Sequence, residues 1–284
     1  MRLAASRSAA PLIGAVWLAG CATTTLGPPE VVPGYLQPEQ LGNLAAAVPA
    51  PAAPGSSEQA QDAALSERLR TLEDTDRWWM ATAHAEVRPP EAAQHFDCLL
   101  GTRLAANPHP ALNRIMGRLL ADSERLTVDL VARHPRLRPL VVDPTRQSCQ
   151  RLNDATRASA TSYPAAGALA GAAYGSLFAD LAPDRAAAAR QMGREIGLSR
   201  AICATNWPSD VQAGAELGEA LYDAAASQPE FAVDLAAARL EIASARAEAL
   251  TNPSCASERL ALAQGRVVVE TSVSPGSGRA RAGQ

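Results

Sequence analysis

The sequence predicts an all-α protein, and three observations carry that prediction. Aromatic residues make up 4% of the chain and alternating apolar–polar runs are nearly absent, so little of it reads as half-buried strand. Apolar residues recur instead at three- and four-residue spacing, as in Leu112, Ile115, Met116, Leu119 and Leu120. Prolines stand where helices begin, at Pro183, Pro208 and Pro229. With so few aromatics, alanine and leucine must fill the interior, which implies closely packed helices in a bundle.

Each element has its own signal. Asn107-Pro108 offers an N-cap, or a turn just ahead of one, for the helix carrying Leu112 to Leu120. Pro183 suits the first turn of a helix through DRAAAARQMGREIGLSRAI, with Asp184 well placed against the helix dipole. Pro208 opens a helix over SDVQAGAELGEALYDAA, and Ser227-Gln228-Pro229 opens an alanine-rich one to about Leu250. VVVETSV, near the end, reads as a short extended segment. There is no internal repeat.

The amino-terminus reads as an export signal over residues 1–20. Arg2 and Arg7 flank a short apolar run, Pro11 to Leu18, far below the roughly 20 residues that span a bilayer. Leu18-Ala19-Gly20-Cys21 resembles a bacterial lipobox, which implies a diacylated Cys21 and an exported, lipid-anchored protein. Ala22 after the cysteine implies sorting to the outer membrane. Residues 21–57, rich in Pro, Ala, Gly and Thr, read as an extended tether. A helical domain is expected over 58–265 and a frayed tail over 266–284.

Composition narrows the chemistry. The net charge is −3, so no global positive field invites nucleic acid. The chain has no lysine, which excludes any lysine-dependent step. Apart from Cys21 there are four cysteines, Cys98, Cys149, Cys203 and Cys255. In an oxidising compartment they suggest two disulfides in one of three connectivities, with buried free thiols as the alternative. No Cys/His spacing suits zinc, and no cofactor motif is present.

Three short motifs carry more information. RHPRLRP places Arg138-Pro139 seven residues after Val131; SYPAAG places Pro164 ahead of Ala165, Ala166 and Gly167; SRAICATNWPSD places Ser199-Arg200 ahead of Asn206 and Asp210. In layout these resemble the signature of the bacterial class A non-specific acid phosphatases, within the superfamily of type 2 phosphatidic acid phosphatases and vanadium haloperoxidases. The likeness runs from about Pro33 to Glu258 and includes PGYLQPEQL and LAAARLEIASAR. It implies that superfamily's helical bundle. It also implies phosphate binding by Arg138 and Arg200, a histidine nucleophile at position 206 oriented by Asp210, and a histidine acid at position 167.

This chain departs from the signature where the chemistry is done. Asn206 stands at the nucleophile position, and an amide nitrogen donates but has no basic lone pair to take a phosphoryl group. Gly167 stands at the acid position and has no side chain to donate a proton, a loss worth about 10²–10⁴ in rate. Val131 replaces the signature lysine, and Ala165 replaces a hydroxyl. The expectation is a catalytically silent relative that binds phosphate or a phosphorylated small molecule through Arg138 and Arg200. Alternatively Arg200 pairs with Asp210 or another carboxylate and only stabilises the bundle. Asn206 is expected to hydrogen-bond Asp210 in place of the histidine, and Trp207 to pack beside the pocket. Two other functions stay open: a working phosphatase that uses His134 or a water held by Asp210, and a purely structural envelope lipoprotein. Haloperoxidase chemistry is disfavoured, because it too needs the missing histidine at 206.

Overall fold

The architecture follows from one helix that is apolar all round. The computed structural model describes residues 32–150, 155 and 159–273. The long helices are α1 (Pro38–Ala47), α2 (Ser57–Leu69), α3 (Asp76–Ala83), α4 (Pro110–Arg133), α5 (Ala166–Leu181), α6 (Ala186–Ile202), α7 (Pro208–Ala226), α8 (Pro229–Ala247) and α9 (Cys255–Val273). Among the described residues there is no sheet, only an isolated bridge between Arg136 and Thr161. Thirteen of the sixteen residues of α5 are buried, so α5 has no face to offer water and becomes the centre of the bundle. It packs most extensively on α6 and α7, and also touches α4.

Small residues set how closely those helices approach. A methyl group on Gly193 would lie 2.5 Å from the Gly171 carbonyl oxygen, and one on Gly218 would lie 2.2 Å from that of Leu169. At these two crossings backbone packs directly on backbone, so alanine-rich helices form a dense core without aromatic bulk. Phe96 stacked on Phe178, with ring centroids 4.0 Å apart, is one of the few aromatic contributions.

Helix starts agree with the proline signals, with adjustments. Pro208 and Pro229 occupy first turns as the sequence implies. Pro183 instead opens a short 3₁₀ turn, Pro183–Arg185, and α6 follows at Ala186. The helix expected after Asn107-Pro108 begins at Pro110. Its free amides at Ala111 and Leu112 donate to Glu241 on α8, each at 2.9 Å, while Asn107 turns away to Glu248. A carboxylate from another helix thus does the capping that local sequence assigns to Asn107.

Two boundary expectations are corrected. Much of the segment read as a tether over 21–57 is folded: α1 forms, and Tyr35, Leu36, Leu41, Ala45 and Ala52 are buried. Specific contacts outweigh the unpromising composition. The Tyr35 and Leu36 amides donate to Asp122 at 2.6 and 3.1 Å, and the Tyr35 hydroxyl donates to Asp234 at 2.7 Å. The Tyr35 ring lies edge-on to Phe231 and beneath the Arg118 guanidinium. At the other end α9 continues to Val273, past the boundary expected at 265, and VVVETSV is helical rather than extended. Ala261 is buried and Gly265 lies close against Arg77, so packing overrides the β preference of the valines. Residues 1–31, with Cys21, and residues 274–284 lie outside the described residues.

The cysteines pair Cys98–Cys255 and Cys149–Cys203. The first ties the helical turn Asp97–Leu100 to the start of α9; the second ties the loop after the turn Pro139–Val142 to the end of α6.

Close helix contact makes a paired prediction. Gly218→Ala should lower stability by about 1–3 kcal/mol, because overpacking against the Leu169 carbonyl outweighs the helix propensity gained. Gly42→Ala, in α1 where an added methyl meets nothing within 4 Å, should raise it by about 0.5–1 kcal/mol. Urea denaturation of both variants measures the contrast.

Candidate phosphate-binding site

The three motifs converge. Arg138 caps the helical turn Pro139–Val142, Gly167 lies in the first turn of α5, Arg200 lies in the last turn of α6, and Asn206 and Asp210 flank the start of α7. Arg138 Nη1 donates to the Thr205 carbonyl at 2.8 Å and its Nη2 to Thr161 Oγ1; the Thr205 amide donates in turn to the Arg200 carbonyl at 3.1 Å. Arg200 Nη2 donates to Gln150 Oε1 at 2.9 Å.

Neither arginine forms an ion pair among the described residues, which disposes there of the expected alternative of an Arg200–Asp210 pair. Burial and then the like charge of Arg138 push the Arg200 guanidinium down to about 10. Burial likewise lowers Arg138, against the pull of Asp210, and its Nε is buried without an acceptor. Two cations side by side with no carboxylate on either form an electrostatic deficit that an anion would relieve. The amides of Ala166 and Gly167, at the amino end of α5, also have no acceptor among the described residues.

Any side chain at Gly167 requires the Arg200 side chain to shift. A methyl group there would lie 2.7 Å from Arg200 Cδ and 3.1 Å from its Nε. The space that a side chain at the acid position would use is occupied by the Arg200 stem.

Asp210 is fully buried, but it orients neither a histidine nor Asn206. Its Oδ1 accepts from Arg136 Nη1, and its Oδ2 from the Ser162 hydroxyl and, at 3.4 Å, the Trp207 amide. Asn206 instead donates from Nδ2 to the Ser162 carbonyl at 2.6 Å, which corrects the expected Asn206–Asp210 bond. The physical reason is competition: a guanidinium and a hydroxyl give charge-assisted bonds that a neutral amide cannot match. Trp207 packs as expected, with its indole N–H donating to the Leu137 carbonyl at 2.8 Å and the Arg136 guanidinium 5.6 Å from its ring centre.

Arg136 is the functional residue that sequence reasoning missed. Its other nitrogen donates to Asp62 at 2.8 Å, and Asp62 also accepts from the Ser209 amide and hydroxyl. Arg136 therefore joins α2 to the start of α7 through two buried carboxylates. The available signal was a third arginine in RHPRLRP, two residues from Arg138 and therefore on the same face of an extended backbone.

The four imidazoles meet partners other than Arg138 and Arg200. His134 ends α4 and stands edge-on to Tyr163, with centroids 5.9 Å apart. His84 meets Ser199 Oγ at 2.9 Å, His95 donates to the Glu86 carbonyl, and His109 lines a separate cavity with Pro90 and Asn107.

No protein-family model matches the chain. Individual relatives do. The chain is 30% identical over 205 residues to an acid phosphatase of Zymomonas mobilis subsp. mobilis, covering 71% of this chain and 76% of that protein. It is 26% identical to the non-specific acid phosphatases of Providencia stuartii, over 74% of this chain and 84% of the relative, and of Salmonella typhimurium, over 75% and 85%. The chain belongs to the non-specific acid phosphatase family. Within an acid-phosphatase fold it keeps the arginine pair and Asp210, and it holds Asn206 and Gly167 at the two positions where the motif resemblance implies histidines.

The Arg136 network yields a pH-resolved prediction. Arg136→Ala should destabilise by about 3–5 kcal/mol at neutral pH, because two buried carboxylates lose their shared cation. Burial holds the Asp210 carboxyl above its usual range while Ser162 and Arg136 pull it down, so losing Arg136 raises it further. A carboxyl raised on folding contributes stability below its unfolded value and loses that contribution as pH climbs through the folded value. The deficit of the variant should therefore shrink on acidification from pH 7 to pH 5, as read by urea denaturation at each pH.

Proposed function

We propose that this acid-phosphatase-family chain is catalytically silent and binds phosphate or a phosphorylated small molecule between Arg138, Arg200 and the amino end of α5. One observation carries the reading: two half-buried arginines, the like charge of one felt at the other, lack a carboxylate partner among the described residues, while position 206 holds a buried amide engaged with the Ser162 carbonyl. The arginines supply charge-assisted, fork-shaped donors suited to a tetrahedral oxyanion. The amide supplies no nucleophile, and Gly167 supplies no acid.

The leader motif extends the proposal to location. Cys21 after an apolar run supports a periplasmic lipoprotein anchored at the outer membrane.

A competing reading, a working phosphatase, draws on the names of the relatives. Assays with an aryl phosphate at acid and neutral pH separate the two. The silent reading expects no hydrolysis above a denatured control, and a turnover above about 1 s⁻¹ refutes it. Phosphate at about 100 times its dissociation constant should stabilise the fold by about 2.7 kcal/mol, and this effect should vanish in Arg200→Ala. A purely structural lipoprotein predicts no phosphate-dependent change in melting temperature.

A further inference from the structure

A second cavity, of about 550 Å³, lies between α3, the 3₁₀ segment Glu91–Phe96 and α9. Its wall is rich in acceptors. Asp76, Glu86, Glu91 and Glu258 line it and, among the described residues, no arginine does, in a chain whose 26 basic residues are all arginine. Two histidines complete the wall, with ring centroids 5.0 Å apart.

The hydrogen-bond network fixes what those imidazoles present. Ser199 Oγ donates its proton to the Glu195 carbonyl at 2.9 Å and accepts from Arg77 Nη1, so His84 Nδ1–H donates to the same oxygen. That leaves the Nε2 lone pair of His84, whose side chain is 2% exposed, for the cavity it lines. His95 spends its Nε2–H on the Glu86 carbonyl at 2.8 Å and keeps a bare Nδ1. Burial lowers the basicity of both rings, which keeps them neutral acceptors rather than cations. Beside them Trp79 is 58% exposed at the cavity, an unusual placement for a large aromatic, and Met80 and Ala261 add apolar surface.

We propose that this cavity is a binding site for an organic ammonium ion with an apolar body, the ammonium meeting the carboxylates and the His84 Nε2 lone pair and the apolar body lying on Trp79. Four carboxylates repel anions, and a primary ammonium brings them three donors where an alcohol brings one. Trp79 offers a ring face for the cation or for an aryl group. The site is separate from the arginine pair and does not rest on the phosphate reading.

The test uses 2-phenylethylamine and its neutral counterpart 2-phenylethanol, titrated calorimetrically into the intact protein. Binding is measured at pH 8, above the value of about 7 to which burial and then Asp97 push the Glu258 carboxyl. The amine should bind at least tenfold more tightly than the alcohol. Glu258→Gln should weaken the amine about tenfold, and Trp79→Ala, at an exposed position that folding tolerates, about two- to fivefold. Arg200→Ala should leave amine binding unchanged. Equal affinity for amine and alcohol, no binding of either, or amine binding unaltered in both cavity variants overturns the proposal.

Discussion

Arg136 sits between Asp62 and Asp210, and the geometry of the arginine site depends on that placement. The three side chains come from α2, from the chain just before Arg138, and from the first turn of α7, and all are buried. Satisfying Asp210 with Arg136 and Ser162 fixes the start of α7 and, through the Ser162 carbonyl, the rotamer of Asn206. A buried carboxylate must find donors, and here it finds them without a histidine. The aspartate that would orient a nucleophile has become a structural counter-ion.

The same logic links Gly167 and Arg200. With no side chain at position 167, the Arg200 stem lies across the space and its tip reaches Gln150. The positions implied for nucleophile and acid are thus not merely blank. Neighbouring groups have settled around what is present, so reinstating histidines would have to displace an arginine as well as supply a ring. The elements proposed to bind an anion are untouched by this: Arg138, Arg200 and the amides of Ala166 and Gly167, which have no acceptor among the described residues.

Much of this was legible in the sequence because it is local. Proline at helix starts and three- and four-residue apolar spacing located α4, α6, α7 and α8, and motif spacing named Arg138, Arg200 and Asp210. What was not legible is long-range. The partner of Asp210 comes from 74 residues away, and the cap of α4 from 129 and 130 residues away. Composition also misled at the ends. A Pro/Ala-rich stretch averages to a tether, yet Tyr35 alone makes contacts to Asp122, Asp234, Phe231 and Arg118 that fold it in. The valines before Val273 read as extended until Ala261 and Gly265 are seen packed within α9.

The central claim is that no imidazole stands beside the arginine pair to accept a phosphoryl group. Brief incubation of the folded protein with a ³²P-labelled phosphomonoester, followed by denaturing quench and peptide mapping, addresses it directly. The account predicts no covalently bound label at any pH between the acid and neutral ranges. Label on a histidine-containing peptide, above all the one bearing His134, would contradict it.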